Sequence, residues 1–268
     1  ALSLSKSVTF ISGYDFINSQ ATIFLTNNFD IVAGSAIDSI VFMDVALATN
    51  DATTKYIFNV HNSATIGKID FESCRIQIVR GLTRLQTGTT LISTYKVNNC
   101  VIDSIGNYGL VTVDNTTSSI NDIIVQNSTV YKAEKIVVSA KANSNSITLT
   151  NCTFNETPLG GNYLVDCNTY SVAQGITVNN CILGVGKNNA GSNAVKGIRA
   201  SATTLINCLN SYNTSDYVLT ATSPYPIPNL IAYSGSSTTL FKNPGQGDFT
   251  IVDKSFAGKS SAGDPRWR

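Results

Sequence analysis

Apolar and polar positions along this chain fall into one eight-residue pattern that keeps returning. It reads IDFESCRI from Ile69 to Ile76, YKVNNCVI from Tyr95 to Ile102, IIVQNSTV from Ile123 to Val130, ITLTNCTF from Ile147 to Phe154 and ITVNNCIL from Ile176 to Leu183. An earlier copy, IVFMDVAL, runs from Ile40 to Leu47, and a degraded copy from Thr203 to Asn210 is centred on Asn207 and Cys208. At the sixth position of each copy, from Val45 through Cys74, Cys100, Ser128, Cys152 and Cys181 to Cys208, the steps are 29, 26, 28, 24, 29 and 27 residues. A period of that length marks a solenoid whose coils stack on one another.

Within a copy, apolar residues at the first and third positions with polar residues between them describe a strand with one buried and one wet face. The alternation breaks at the fifth position, so the strand must turn there. Asparagine tolerates the left-handed backbone such a bend needs, and its amide can bond neighbouring backbone or a stacked asparagine. A ladder of Asn99, Asn127, Asn151, Asn180 and Asn207 is expected, with Asp44 and Ser73 as polar stand-ins. The sixth position predicts an inward column of free, buried thiols at Cys74, Cys100, Cys152, Cys181 and Cys208. Disulfides between neighbouring coils are the alternative, since the coil spacing lies within bonding range. A second strand precedes each copy, at Tyr56 to His61, Leu91 to Ser93, Tyr108 to Asp114, Lys135 to Lys141, Tyr163 to Asn168 and Lys196 to Ser201.

With its bends at stacked asparagines, the chain resembles the right-handed parallel β-helix of the pectate-lyase-like superfamily, over roughly residues 40 to 215. The resemblance implies an all-β fold: a single right-handed parallel β-helix of about 27 residues per coil with an asparagine ladder. That scaffold hosts lyases, hydrolases, adhesins and inert spikes, so it implies no single activity. The closing stretch, Leu240 to Ile251 followed by AGDPRW from Ala262 to Trp267, is similar to the end of uncharacterised secreted β-helix proteins from glycan-degrading gut bacteria. It implies a secreted or outer-cell-surface bacterial protein engaged in polysaccharide use. Trp267, the sole tryptophan, is expected to close the core rather than to stack on a sugar.

Composition narrows the partners. A net charge of +1, with 13% charged residues, gives no bulk attraction for nucleic acid. No run of about 18 apolar residues exists to span a membrane. A monomer is expected. One structural domain is predicted, with N-terminal cap strands over 1–36, the β-helix over 37–222 and a C-terminal extension capping it over 223–268. Arg75, Arg80 and Arg84 form the one basic concentration, read as a solvated turn, with a patch for acidic sugars as the alternative.

In pectate-lyase-like enzymes the substrate groove crosses the outer face of the first strand of each coil. Taking Phe58, Val60, Val111, Val113, Val138, Ala140, Cys167, Ile198 and Ala200 as inward places their alternates outward. That puts His61, Asp114, Lys141, Asp166, Asn168 and Arg199 along one side of the rod. His61, Asp114, Asp166 and Asn168 are the candidate substrate-binding residues, and Lys141 and Arg199 the candidate catalytic ones. A lyase acting on uronic-acid glycans by β-elimination needs a base such as Lys or Arg and a cation, often Ca²⁺, to stabilise the developing charge. Asp166 is the candidate calcium ligand, and no other cofactor is implied. A hydrolase would need paired acids, and Asp114 and Asp166 fall two coils apart. The leading expectation is therefore a surface protein that binds polysaccharide, acidic in kind, along its first-strand face. The alternatives are a polysaccharide lyase and a structural or adhesive rod.

Overall fold

Two-residue alternation interrupted at a fixed point can close only as a coil, and it does. In the computed structural model, which describes residues 2–13 and 20–268, half the chain is strand (50%) and 4% helix. The coils stack as a right-handed parallel β-solenoid of about 7 turns. One flank is an eight-stranded parallel sheet in the order Val8–Ile11, Ser35–Met43, Ala64–Glu72, Thr90–Asn98, Ser119–Gln126, Ser146–Thr150, Ile176–Asn179, Ile206–Leu209. Its register puts like residues in line: Ile40, Ile69, Tyr95, Ile123, Ile147, Ile176 and Ile206 form one inward column. Phe10, Phe42 and Phe71 stack nearly parallel in the next, with centroids 4.8 and 5.3 Å apart. Each coil thus buries its apolar side chains against its neighbours, which is where the folding energy of a solenoid resides.

The other two flanks belong to one 13-stranded sheet folded along its length. The strands Arg75–Leu85 and Val101–Val113 turn the corner without ending, through left-handed Ile78 (φ 55°) and Ser104 (φ 58°). On one side of that corner lies the first-strand face, carrying Tyr56–Val60, Tyr163–Asp166 and Lys196–Arg199. On the other lies the third face, carrying Ala21–Phe24, Val45–Ala48, Thr129–Tyr131, Thr153–Asn155, Ile182–Leu183 and Tyr212–Asn213. The first strand of the coil after His61 is residues 81–85, which pair with Tyr56–Val60. The expected Leu91 to Ser93 belongs to the eight-stranded sheet instead.

The bend is left-handed at Asp44, Ser73, Asn99, Asn127, Asn151, Asn180 and Asn210. Asn151 Nδ2 donates to Asn127 Oδ1 at 2.9 Å and Asn210 Nδ2 to Asn180 Oδ1 at 2.8 Å, while Asn99 Nδ2 donates to Ser73 Oγ at 2.9 Å. Asn127 departs from the ladder and donates to Asn98 Oδ1. The last copy is shifted by three residues from the expectation: Asn207 pairs with Thr177 and Cys208 with Val178. Asn210 therefore holds the bend and Ser211 the thiol slot. An Asn-Cys pair inside the strand imitated the real corner, Asn210-Ser211, because serine and cysteine do the same work there. Cys100, Cys152, Cys181, Ser128 and Ser211 each donate to the backbone carbonyl two residues back. All six cysteines are buried and free.

Both ends continue the stack. The strands Val8–Ile11 and Ala21–Phe24 pair in parallel register with Ser35–Met43 and Val45–Ala48, so they add a coil to the stack; residues 1 and 14–19 of the expected cap lie outside the described residues. At the other end, Ile231–Ala232 adds a rung to the third face, followed by the turn of helix Ser237–Leu240 and the antiparallel hairpin Phe241–Asn243 and Asp248–Ile251. The remaining chain then runs back along the flank as a strap. Gly263 N donates to Asn180 O, Arg266 reaches Asn99 O, and Trp267 Nε1 donates to Thr129 Oγ1 at 2.7 Å. The strap covers the outward Ile182 and Tyr212 and builds a second core with Tyr131, Leu240, Phe241, Phe249 and Phe256. Exposed, those outward rings would be a large apolar patch.

Candidate functional site

On the first-strand face the register places Asn59, Arg84, Thr112, Val138, Asp166 and Arg199 in one outward line. The predicted parity holds for Thr112, Asp166 and Arg199 but slips by one in the coil between them. There Val137 is buried and Val138 faces out, with Ser139 1% exposed. Lys141 consequently sits in the turn beyond Val137–Val138 and not on the strand. Arg84, read from sequence as part of a solvated turn, is on the face.

Two clusters grow from this line. In the first, Arg84 lies 4.1 Å above the ring of Tyr108, with Arg80 4.9 Å from the same ring. Arg84 Nε donates to Asp114 Oδ2 at 2.9 Å and Nη1 to Gln86 Oε1 at 3.0 Å. Tyr56 closes the group edge-on to Tyr108 at 5.3 Å. Room for the Tyr108 ring comes from Gly81, whose absent Cβ would stand 2.7 Å from Tyr108 Cβ. Burial works against the Arg84 cation, and the Asp114 bond and charge outweigh it, so its pKa is raised.

In the second, Arg199 lies 4.4 Å above Tyr163 and Lys196 Nζ 5.0 Å above the same ring. Arg199 grips Asp166 with both arms, Nε to Oδ1 and Nη2 to Oδ2, each 2.9 Å. Tyr225 stands edge-on to Tyr163 at 5.5 Å. The Asp166 hydrogen bond raises the Arg199 pKa further above its ordinary value.

Of the sequence-predicted residues, the structure brings Asp166 and Arg199 together, places Asp114 with Arg84, and leaves the others apart. His61 is exposed just past Tyr56–Val60, 3.1 Å from Asn59 Nδ2. Asn168 is left-handed (φ 52°) in the turn after Asp166, its N–H donating to Asp166 Oδ1. The tyrosines escaped the sequence reading, although Tyr56, Tyr108 and Tyr163 all stand at the openings of first strands, a recurrence that was available.

Two kinds of chemistry bear on this arrangement. A β-elimination base must be free to take a proton, and Arg199 is bound to a carboxylate with its pKa moved the wrong way. Calcium does not fit either. Both Asp166 oxygens already accept from Arg199, and among the described residues no group of three or more His, Cys, Asp or Glu side chains is gathered for a metal, where Ca²⁺ takes about six to eight oxygens. What the clusters do offer is paired cations on aromatic platforms.

Comparison with known families divides the chain in two. Residues 1–133 match the model of a domain of unknown function, DUF4957, and residues 147–267 that of another, DUF5123. No curated protein and no solved structure gives a match. The seam falls inside continuous stacking, since Ser119–Gln126 pairs in register with Ser146–Thr150 and Thr129–Tyr131 with Thr153–Asn155. The strap of the second region is bonded to Asn99 and Thr129 of the first. No helix among the described residues is long and apolar enough to cross a membrane.

Proposed function

We propose that this chain binds acidic polysaccharide along its first-strand face, without cleaving it, in the manner of the non-catalytic members of pectate-lyase-like β-helices. The observation that supports the reading is the repetition of one chemical unit. A tyrosine ring carrying two cations, one of them tied to an aspartate, occurs at Tyr108 and again at Tyr163. From Arg84 to Arg199 the register takes four coil steps, about 19 Å at the spacing of neighbouring strands, so one extended glycan can meet both. Each unit has one cation in excess of its carboxylate, which favours uronate or sulfate groups through charge-assisted hydrogen bonds. Such glycans are met outside the cell, so a secreted or surface setting accompanies the reading.

Isothermal titration with polygalacturonate and with a neutral galactan tests it. Acidic glycan should bind more tightly, and added salt should weaken it, because exposed charges are screened within about 10 Å at 0.1 M ionic strength. Affinity should stay flat between roughly pH 5 and 9, since arginine remains protonated there and Asp166 holds Arg199 in that form. Equal affinity for the two glycans, or unsaturated product accumulating in the mixture, overturns the reading.

A further inference from the structure

The third face is covered by the strap along its C-terminal coils, and past the end of the strap it is uncovered by the described residues. At that edge two hollows of about 420 Å³ each adjoin, sharing Gln20 and Arg75. Their floor is low, because outward Ala46 and Ala48 stand in line with Arg75 and Gln77 of the next coil. Trp267 and Tyr131 wall the head, and the amides of Gln77, Asn99 and Gln246 ring the rest. No carboxylate lines either hollow among the described residues. Asp264 is buried beneath and bound to Arg266 at 2.9 Å, and Asp103 takes the Ser104 hydroxyl at 2.8 Å. Arg266 is also occupied, its Nη2 donating to Asn99 O at 2.8 Å. Arg75 is different: it is exposed and has no ion-pair partner among the described residues.

We propose that this cleft is a second saccharide site, taking a short acidic oligosaccharide with a carboxylate on Arg75 and a sugar ring against Trp267. Three features select that class. The aromatic wall offers an apolar surface to the C–H face of a sugar. The amides supply both donors and acceptors for hydroxyls. The Arg75 guanidinium, without an ion-pair partner among the described residues, matches a carboxylate in a two-bond fork. The cleft shares no residue with the first-strand clusters.

Trp267 is the sole tryptophan, so intrinsic fluorescence reports on this cleft. The experiment is a fluorescence titration with galacturonic acid trisaccharide, and with maltotriose as neutral probe, on the parent, Arg75→Ala and the double variant Lys196→Ala, Arg199→Ala. A saturable change is expected in the parent and in the double variant. Arg75→Ala should weaken the apparent affinity by at least about tenfold, since even one hydrogen bond to a charged group is worth that much, and maltotriose should bind correspondingly less well. Absence of a saturable change in the parent overturns the proposal. So does an Arg75→Ala variant that titrates like the parent, or a signal lost in the double variant, which would assign the change to the first-strand face.

Discussion

The two tyrosine clusters on the first-strand face are built from the same parts and differ in closure. Around Tyr108 the parts face one another: Arg84 is 14% exposed, and Tyr56, which completes the group, is 2% exposed with its N–H held by Asn28 Oδ1 at 2.9 Å. Around Tyr163 the group opens outward, with Arg199 28% and Tyr225 39% exposed. The cause is where the second ring comes from. Tyr56 starts a regular strand, whereas Tyr225 arrives from the proline-rich Ser223 to Pro228 segment, which lays its carbonyls against Gly197 N and Ile198 N at 2.9 Å. A Cβ on Gly197 would stand 2.0 Å from Tyr225 O, so only glycine admits that approach. The same parts are thus closed in on one another in one place and open to solvent in the other.

The strongest test of that contrast is stability. Arg84→Ala removes a half-buried cation that stacks on Tyr108 and holds Asp114 and Gln86, and it should cost about 1 to 3 kcal/mol. For a chain of this size that lowers the melting temperature by roughly 2 to 4 °C per kcal/mol. Arg199→Ala, at the more open cluster, should cost under about 1 kcal/mol. Thermal unfolding of the two variants side by side decides the matter, and equal losses would break the distinction.

Binding should reverse the order of the two clusters. Lys196→Ala combined with Arg199→Ala is expected to weaken polygalacturonate by about tenfold, as two charge-assisted contacts are lost. Arg80→Ala, at the closed cluster, should weaken it by less than about threefold, the scale of a rim charge worth under 1 kcal/mol. Titration calorimetry at one ionic strength measures both. A larger loss from Arg80→Ala would make the Tyr108 cluster the principal contact.

What could be read in advance follows the same division. The polar bends and the inward slots after them repeat because every coil solves one steric problem, so a single sequence showed them six times over, from Asp44 to Asn180. The opposite corner offered no such sign. It turns left-handed at Ile78, Ser104, Lys132 and Glu156, of which only the serine is a common turn residue, and it is held by the stacked coils. Missing that corner hid the first strand at residues 81–85, and Arg84 with it. Two further misses share a cause: the slip at Val138 and the shift at Asn210 arise where a coil is lengthened or shortened, which alternation alone cannot register. The strap was illegible for another reason. Its partners, such as Asp264 with Thr129 and Trp267 with the same hydroxyl, are more than 130 residues apart, and no periodicity links them.

The finest probe of the contrast is the Tyr225 ring itself. Because the backbone carbonyls of Pro224 and Tyr225 fix that segment, Tyr225→Ala should leave its course unchanged and shift stability by less than about 0.5 kcal/mol. Only the exposed ring disappears, and with it an edge-on neighbour of Tyr163. Acidic glycan should then bind roughly twofold to tenfold more weakly, the range of an aromatic contact of about 0.5 to 1.5 kcal/mol. Tyr225→Phe separates the two parts of the side chain. Affinity retained in the phenylalanine variant assigns the contact to the ring face, and affinity lost in both assigns it to the hydroxyl. If neither change alters affinity, the open cluster meets its ligand through Lys196 and Arg199 alone, and its difference from the closed cluster reduces to charge.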